Sequence, residues 1–493
     1  MERNTDGVAH PALMDRRAFL ASSGGAALLR LAKPATGAQP APRPNFVLFL
    51  SDDMGWDQVG FNGGKEVPTP NIDAIAREGV KLTQFYVQPV CTPSRSCLLT
   101  GRYAWKTGTE RRPSALAAQG MLKDERTLAE ALRDAGYATW MVGKWHLGEW
   151  YKAHLPLARG FQHHYGLYGA LIDSFTHTRF GVLDWHRNGK PVIEEGYSTF
   201  LLADEAVRLI QGRDRSKPFF LYLPFNAVHG PNQAPPEYLK KYQHLGRVGP
   251  QRAQLECLDV AIGRVMQALK DFGADRNTLV MFTNDNGGPR RITTNGPYRG
   301  FKSSYHEGGI RVPAAMRWPG AIPAGSATDE MLHAIDIFPT FCRLGGASVR
   351  QKLPLDGKDA WQTIVGKAPT PHTEIVHSLQ VIRSGDWKLI EQGASYYSWP
   401  EQPLQLYNIR EDPYEQRNLA SKYPDVVARL RSRLAYHKPF ARQEEPPERI
   451  PAGTPAVYGE EENAQYGGWV RQQAKILRWE EREAKADRRE RKK

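Results

Sequence analysis

Apolar runs of strand length recur along the chain, and each stops abruptly at polar side chains. "NFVLFLSDDMGW" is unbroken from Phe46 to Leu50 and then turns polar at Ser51-Asp52-Asp53. "YATWMVG" ends in "KWHLG", with Lys144 and His146; "PFFLYLPFNAV" ends in His229; "NTLVMFTNDNGG" ends in Asp285 and Asn286. A continuous apolar run, as opposed to an alternating one, marks a parallel strand buried on both faces. Between the runs, Leu128 to Ala135 and Leu201 to Gln211 read as helices closing at Gly136 and Gly212.

Strands alternating with helices predict an α/β fold, a mostly parallel sheet held between helical layers. In such sheets ligands bind beyond the carboxyl ends of the strands. Four strands therefore deliver Asp, Lys, His and Asn to one edge. Asp-Asp and Asp-Asn are also ordinary turn chemistry, and a histidine taken singly is ordinarily structural; the convergence carries the assignment. Asp52, Asp53, Asp285 and Asn286 form a hard oxygen site suited to calcium or magnesium. Three carboxylates so close repel one another without a cation. Lys144, His146, His229 and Lys302 (from "YRGFKSSYHEGG") supply the cationic and proton-transfer side.

From about Leu353 the pattern changes. "VIRSGDWKLI" and "LQLYNI" read as short antiparallel strands, "DPYEQRNLA" as a turn and "PDVVARLRSRLAYH" as a helix. The expected organisation is a signal peptide over 1–38, a catalytic α/β domain over 44–350, a smaller C-terminal α+β domain over 351–445 and a basic extension over 446–493.

Composition adds a charge argument. The chain has 493 residues, 41% of them hydrophobic and 24% charged, and a formal charge of +13. Such a balance attracts anions: acidic polysaccharide, phosphate or sulfate esters, or nucleic acid. No arginine-rich nucleic-acid motif and no zinc-finger spacing occurs, which argues against nucleic acid as a partner. "MDRRAFLASSGGAALL" pairs Arg16 and Arg17 ahead of a weakly apolar run, the pattern of a bacterial twin-arginine export signal. That run is too short for a membrane span, so the expectation is export to the periplasm or beyond, through the twin-arginine translocase, with no stable membrane anchor. Removing residues 1–38 takes away five basic and three acidic residues and leaves a body charge of +11.

The four cysteines, Cys91, Cys97, Cys257 and Cys342, form no C-x-x-C pair and no disulfide framework. Cys91 opens "CTPSRSCLLTGRY". Pro93 suits the first turn of a helix and Ser94 to Leu99 continue it, so Cys91 stands at or near a helix N-terminus, where free amides favour an anion. Arg95 adds a bidentate oxyanion partner.

C-x-P-S-R followed by L-x-T-G-R resembles the signature of the type I, formylglycine-dependent sulfatases. The likeness runs from "NFVLFLSDDMGW" through "VGKWHLG", "TNDNGG" and "RGFKSSYHEGG" to "LQLYNIREDPYEQRNLA". It is nearest to the arylsulfatase B (N-acetylgalactosamine-4-sulfatase) group, with its "QPLCTPSRS", "GKWHLG" and "WEGG" blocks. Where that group carries tryptophan near "WEGG", this chain has Ser303, Ser304, Tyr305 and His306.

The resemblance implies an alkaline-phosphatase-like fold and hydrolysis of sulfate monoesters of a saccharide, a glycosaminoglycan or an aryl alcohol. It also implies conversion of Cys91 to 3-oxoalanine (formylglycine) by a formylglycine-generating enzyme. Ca2+, with Mg2+ as the alternative, would be held by Asp52, Asp53, Cys91, Asp285 and Asn286. Arg95 would orient the aldehyde hydrate, Asp285 take its proton, and Lys144 and Lys302 neutralise the sulfuryl oxygens. His229, with Lys302, would protonate the leaving alcohol, and His146 take the proton that triggers sulfate release. Two other readings stay open: a phosphonate or phosphodiester hydrolase of the same superfamily, and a non-catalytic anion-binding protein with Cys91 unmodified.

Overall fold

Each of the four apolar runs forms a strand, and the four lie side by side. We label them β1 (Asn45–Ser51), β2 (Ala138–Val142), β3 (Phe219–Pro224) and β4 (Thr278–Asn284). The structure is a computed structural model that describes residues 43–110, 120–149, 152–179, 181–394, 396 and 403–442. The expected signal peptide and the basic extension lie outside the described residues.

The order β4-β1-β3-β2 forms the centre of a ten-stranded sheet, continued by His163–Gly166 beyond β2. All of these neighbours pair in parallel. Beyond β4 the pairing turns antiparallel, through Ala314–Arg317 and then Val80–Leu82.

The unbroken apolar runs follow from two-sided burial. Side chains alternate across a strand, so Phe46, Leu48 and Leu50 enter one core while Val47 and Phe49 enter the other. The covering helices are α1 (Pro70–Arg77), α2 (Cys91–Thr100), α3 (Leu128–Asp134), α4 (Ser198–Gln211), α5 (Gly249–Asp271) and α6 (Ile337–Gly345). Ile72 and Ile75 of α1, Leu202 and Ile210 of α4, and Leu255 and Leu258 of α5 pack on the Val47 face. Leu98 and Leu99 of α2, Leu128 and Leu132 of α3, and Phe338 and Phe341 of α6 pack on the Phe46 face. Each such side chain stabilises the fold by roughly 1.5–3 kcal/mol when fully buried.

Helix ends obey local chemistry. Thr127 caps α3 reciprocally with Glu130: its Oγ1 accepts from Glu130 N at 3.1 Å, and Glu130 Oε2 accepts from Thr127 N at 2.7 Å. α4 starts at Ser198, one turn ahead of the apolar pattern that begins at Leu201. α2 ends at Gly101, whose φ of 67° is left-handed and suits glycine.

The C-terminal pattern forms a four-stranded antiparallel sheet, β5 (Glu374–Ser378), β6 (Val381–Ser384), β7 (Trp387–Ile390) and β8 (Gln405–Asn408), followed by α7 (Pro424–His437). Ile375, Ile382, Leu389, Leu406 and Leu430 join the core on the Phe46 face. The small sheet thus packs onto the large one. Among the described residues no helix is long and apolar enough to cross a membrane.

Candidate active site

Strand register brings the four polar ends level. Ser51 on β1 pairs with Asn284 on β4, and Leu50 pairs with Pro224 on β3. Asp52-Asp53 and Asp285-Asn286 therefore leave adjacent strands side by side. Asn284 holds this edge: its Oδ1 accepts from Ser51 Oγ at 2.8 Å and Met54 N at 3.2 Å, and its Nδ2 donates to Met54 O at 2.9 Å. Sequence reasoning did not single out Asn284; its position directly before Asp285 in "TNDNGG" was the available signal.

One ligand atom each from Asp52, Asp53, Asp285 and Cys91 lies within 4.8 Å of the others, and all four residues are buried. Cys91 Sγ is 3.7 Å from Asp52 Oδ1. Asn286 joins through its amide, Nδ2 donating to Asp53 Oδ1 at 2.8 Å. Its Oδ1 is buried and has no hydrogen-bond partner among the described residues. An orphaned buried acceptor costs about 1–3 kcal/mol. Carboxylate oxygens with a spare carboxamide oxygen are the donor set of a hard divalent cation, so these residues fit Ca2+ or Mg2+.

A cationic ring surrounds the carboxylates. Arg95, fully buried on α2, donates from Nε and Nη2 to Asp285 Oδ2 at 3.1 and 2.7 Å, and from Nη1 to the Lys144 carbonyl at 2.9 Å. Lys144 Nζ lies 2.5 Å from Asp52 Oδ2. Lys302 Nζ lies 2.7 Å from Asp53 Oδ1 and 2.8 Å from Oδ2. His229 Nε2 stands 3.5 Å from Asp53 Oδ2, and its Nδ1 is 2.6 Å from the Gly230 carbonyl. A carbonyl only accepts, so Nδ1 carries a hydrogen and Nε2 is the nitrogen that gains or loses a proton. His146 is fixed through its backbone: its N–H donates to Tyr168 O at 3.0 Å and its carbonyl accepts from Thr92 Oγ1 at 3.0 Å, next to Cys91.

Three non-glycine residues here adopt left-handed backbone: Asp53 (φ 61°), His146 (φ 58°) and Ser303 (φ 77°). Such conformations cost of order 1–3 kcal/mol each and persist where surrounding contacts dictate them.

Burial alone would raise the Asp52 carboxyl, but Lys144, His229, Arg95 and Lys302 outweigh it and hold the group below the usual carboxylate range. Asp285 goes the other way: burial and the neighbouring Asp52 push it up against the pull of Arg95 and Lys144. Burial lowers His229 despite Asp53, with Lys302 adding to the effect. The Cys91 thiol is pushed up to about 12 by burial, partly opposed by Lys144 and Lys302.

Known proteins share this architecture. The family described as Sulfatase matches residues 44–347, and the C-terminal region described for N-sulphoglucosamine sulphohydrolase matches 298–439. Arylsulfatase J of Mus musculus is 33% identical, aligned over 90% of this chain and 83% of its own length. N-acetylgalactosamine-6-sulfatase of Canis lupus familiaris is 33% identical over 77% of each. Among solved structures, Ps i-CgsB in complex with k-i-k-neocarrahexaose superposes with a TM-score of 0.75 at 30% identity, covering 82% of this chain and 94% of that one.

Proposed function

The chain belongs to the sulfatase family and is a sulfuric ester hydrolase, and from that premise we propose that it desulfates a saccharide using formylglycine made from Cys91 and a bound Ca2+. The observation that carries this reading is the convergence of Cys91 with Asp52, Asp53 and Asp285 inside a ring of Arg95, Lys144, Lys302 and His229. As a cysteine, residue 91 is poorly suited to the reaction, because sulfur attack on a sulfate ester would leave a stable adduct with no second hydroxyl through which to expel sulfate. As formylglycine hydrate it supplies one hydroxyl for attack on sulfur and a second through which sulfate is later expelled. The cation, held by Asp52, Asp53, Asp285, Asn286 and residue 91, supplies charge neutralisation for the sulfate oxygens.

The remaining steps belong to the chain's own side chains. Arg95 fixes Asp285 through two N–H groups on one oxygen, leaving Oδ1 free of the arginine, so that it could serve as a cation ligand. Lys144 and Lys302 bind and neutralise the sulfuryl oxygens. His229 delivers a proton from Nε2 to the leaving alcohol oxygen, and His146 accepts the proton whose loss releases sulfate.

The saccharide is suggested by two similar proteins, one an N-acetylgalactosamine-6-sulfatase and one in complex with a neocarrahexaose, and by the basic body, which suits a polyanion. Maturation by a formylglycine-generating enzyme and export through the twin-arginine translocase complete the proposal, the latter resting on Arg16-Arg17. Changing both to lysine should strand the protein inside the cell with its aldehyde already formed.

Intact-mass analysis of the mature chain, run beside parallel assays with a sulfate monoester and a phosphate diester, tests the mechanism. The expected result is the mass loss of cysteine-to-aldehyde conversion together with preference for the sulfate ester. Full sulfatase turnover by a chain whose Cys91 is wholly unmodified would overturn it.

A further inference from the structure

Lys302 reaches the carboxylates from a stretch without helix or strand, and both flanks of that stretch are fastened to the C-terminal sheet. On the near flank, Arg299 Nη1 donates to Tyr407 Oη at 2.8 Å and to the Glu415 carbonyl at 3.1 Å. On the far flank, His306 Nε2 is 2.9 Å from Gln405 Oε1, which also accepts from Tyr407 Oη at 2.6 Å. The next residue, Glu307, donates its N–H to Glu415 Oε2 at 2.7 Å. Lys388 Nζ, on β7, then lies 2.9 Å from both Glu307 Oε1 and Glu415 Oε1.

Lys388, Glu307 and Glu415 are fully buried. Withdrawing an ion from water costs several kcal/mol, and apolar residues of similar volume commonly stabilise a fold as well or better. What a buried ionic triad does well is fix geometry. The backbone between the flanks needs fixing. Ser303, directly after Lys302, is left-handed at φ 77°, its N–H donating to Pro89 O at 2.7 Å, while Lys302 N donates to Gly288 O at 3.0 Å. A strained residue beside a functional lysine holds its conformation only where the surroundings impose it.

We propose that Arg299, Tyr407, Lys388 and Glu415 are positioning residues for Lys302, so that the C-terminal sheet sets the affinity of the active site for sulfate. The inference rests on the proposed role of Lys302 in binding the sulfuryl group. None of the four residues touches the reacting atoms; each acts by holding the Lys302 ammonium at Asp53 instead of letting it swing into solvent.

A double-mutant cycle tests this. Arg299→Ala removes an exposed side chain, and Tyr407→Phe keeps the buried ring, so both are expected to fold; truncating Lys388 would take a buried counter-charge from two carboxylates at once and is avoided. Each variant is made with Lys302 intact and in a Lys302→Ala background. kcat/KM on an aryl sulfate, calorimetric affinity for inorganic sulfate, and Tm are measured for all. With Lys302 present, each change should weaken kcat/KM and sulfate affinity by about fivefold; without Lys302, by less than about twofold. Arg299→Lys should recover part of the loss. Equal losses in both backgrounds, or no loss with Lys302 intact, overturn the proposal. Unchanged kcat/KM and sulfate affinity in Lys302→Ala alone would instead overturn the role given to Lys302.

Discussion

Arg95 and Asp285 meet through a single carboxylate oxygen: Nη2 and Nε of the arginine lie 2.7 and 3.1 Å from Oδ2. The fork therefore occupies one side of the carboxylate and turns Oδ1 toward Asp53, whose N–H lies 3.4 Å away. One arginine on the cysteine-bearing helix thus fixes the orientation of the residue that directly follows β4.

Arg95→Met should destabilise the fold by about 3–5 kcal/mol, because Asp285 and Asp52 lose a buried counter-charge without a route to water. The proposed Ca2+ would oppose the same repulsion, so adding it should raise the Tm of the variant more than that of the parent. Melting curves with and without Ca2+ check this; equal shifts would show that the cation and Arg95 do not share these carboxylates.

Cys91→Ala should give a folded protein that still gains thermal stability from divalent cation yet has no sulfatase turnover, since the carboxylates remain and the nucleophile is gone. Cys91→Ser should accumulate a sulfated serine, visible as added mass, because one hydroxyl has no aldehyde through which to expel sulfate. Steady turnover by either variant is the result that sinks the formylglycine assignment.

Chelation should abolish activity and lower Tm. A ligand that binds only the folded state at a hundred times its Kd adds about 2.7 kcal/mol of stability, and its removal also restores repulsion among Asp52, Asp53 and Asp285. Differential scanning calorimetry in chelator reads both effects together. An unchanged melting curve would show that the cluster holds no structural cation.

Acid should unfold the protein partly through two buried histidines, His333 and His377. Burial holds His333 down at about 3 and His377 well below its ordinary value. Both nitrogens of His377 are buried without hydrogen-bond partners among the described residues. Between the unfolded value, about 6.5, and these folded values, the unfolded chain binds more protons. Stability therefore rises with pH across that window and is lost as pH falls, by about 1.4 kcal/mol per unit for each group. His377→Phe keeps a ring against Tyr86 and removes one titrating site, so its Tm should fall less steeply from pH 6.5 to 4.5. Identical slopes would remove His377 from the account of acid lability.

The apolar runs alone determined the elements and the edge where the chemistry gathers. A parallel strand covered on both faces has no solvent side, so Phe46 to Leu50 and Phe219 to Pro224 must be apolar throughout, and the first polar residues after them mark the open end of the sheet. The block "CTPSR" likewise placed Cys91 at a helix start from local rules about proline and free amides. Tertiary structure decided the rest. The order β4-β1-β3-β2 and the match of Ser51 with Asn284 are pairings between segments far apart in sequence, set by packing of the whole sheet and not by any local preference. So too with the partners: nothing in "GKWHLG" says that Lys144 takes Asp52, or in "RGFKSSYHEGG" that Lys302 takes Asp53. The triad of Glu307, Lys388 and Glu415 lay furthest from view, because a lysine in a short strand reads as solvent-facing until a second sheet closes over it and leaves its charge no partner but two carboxylates.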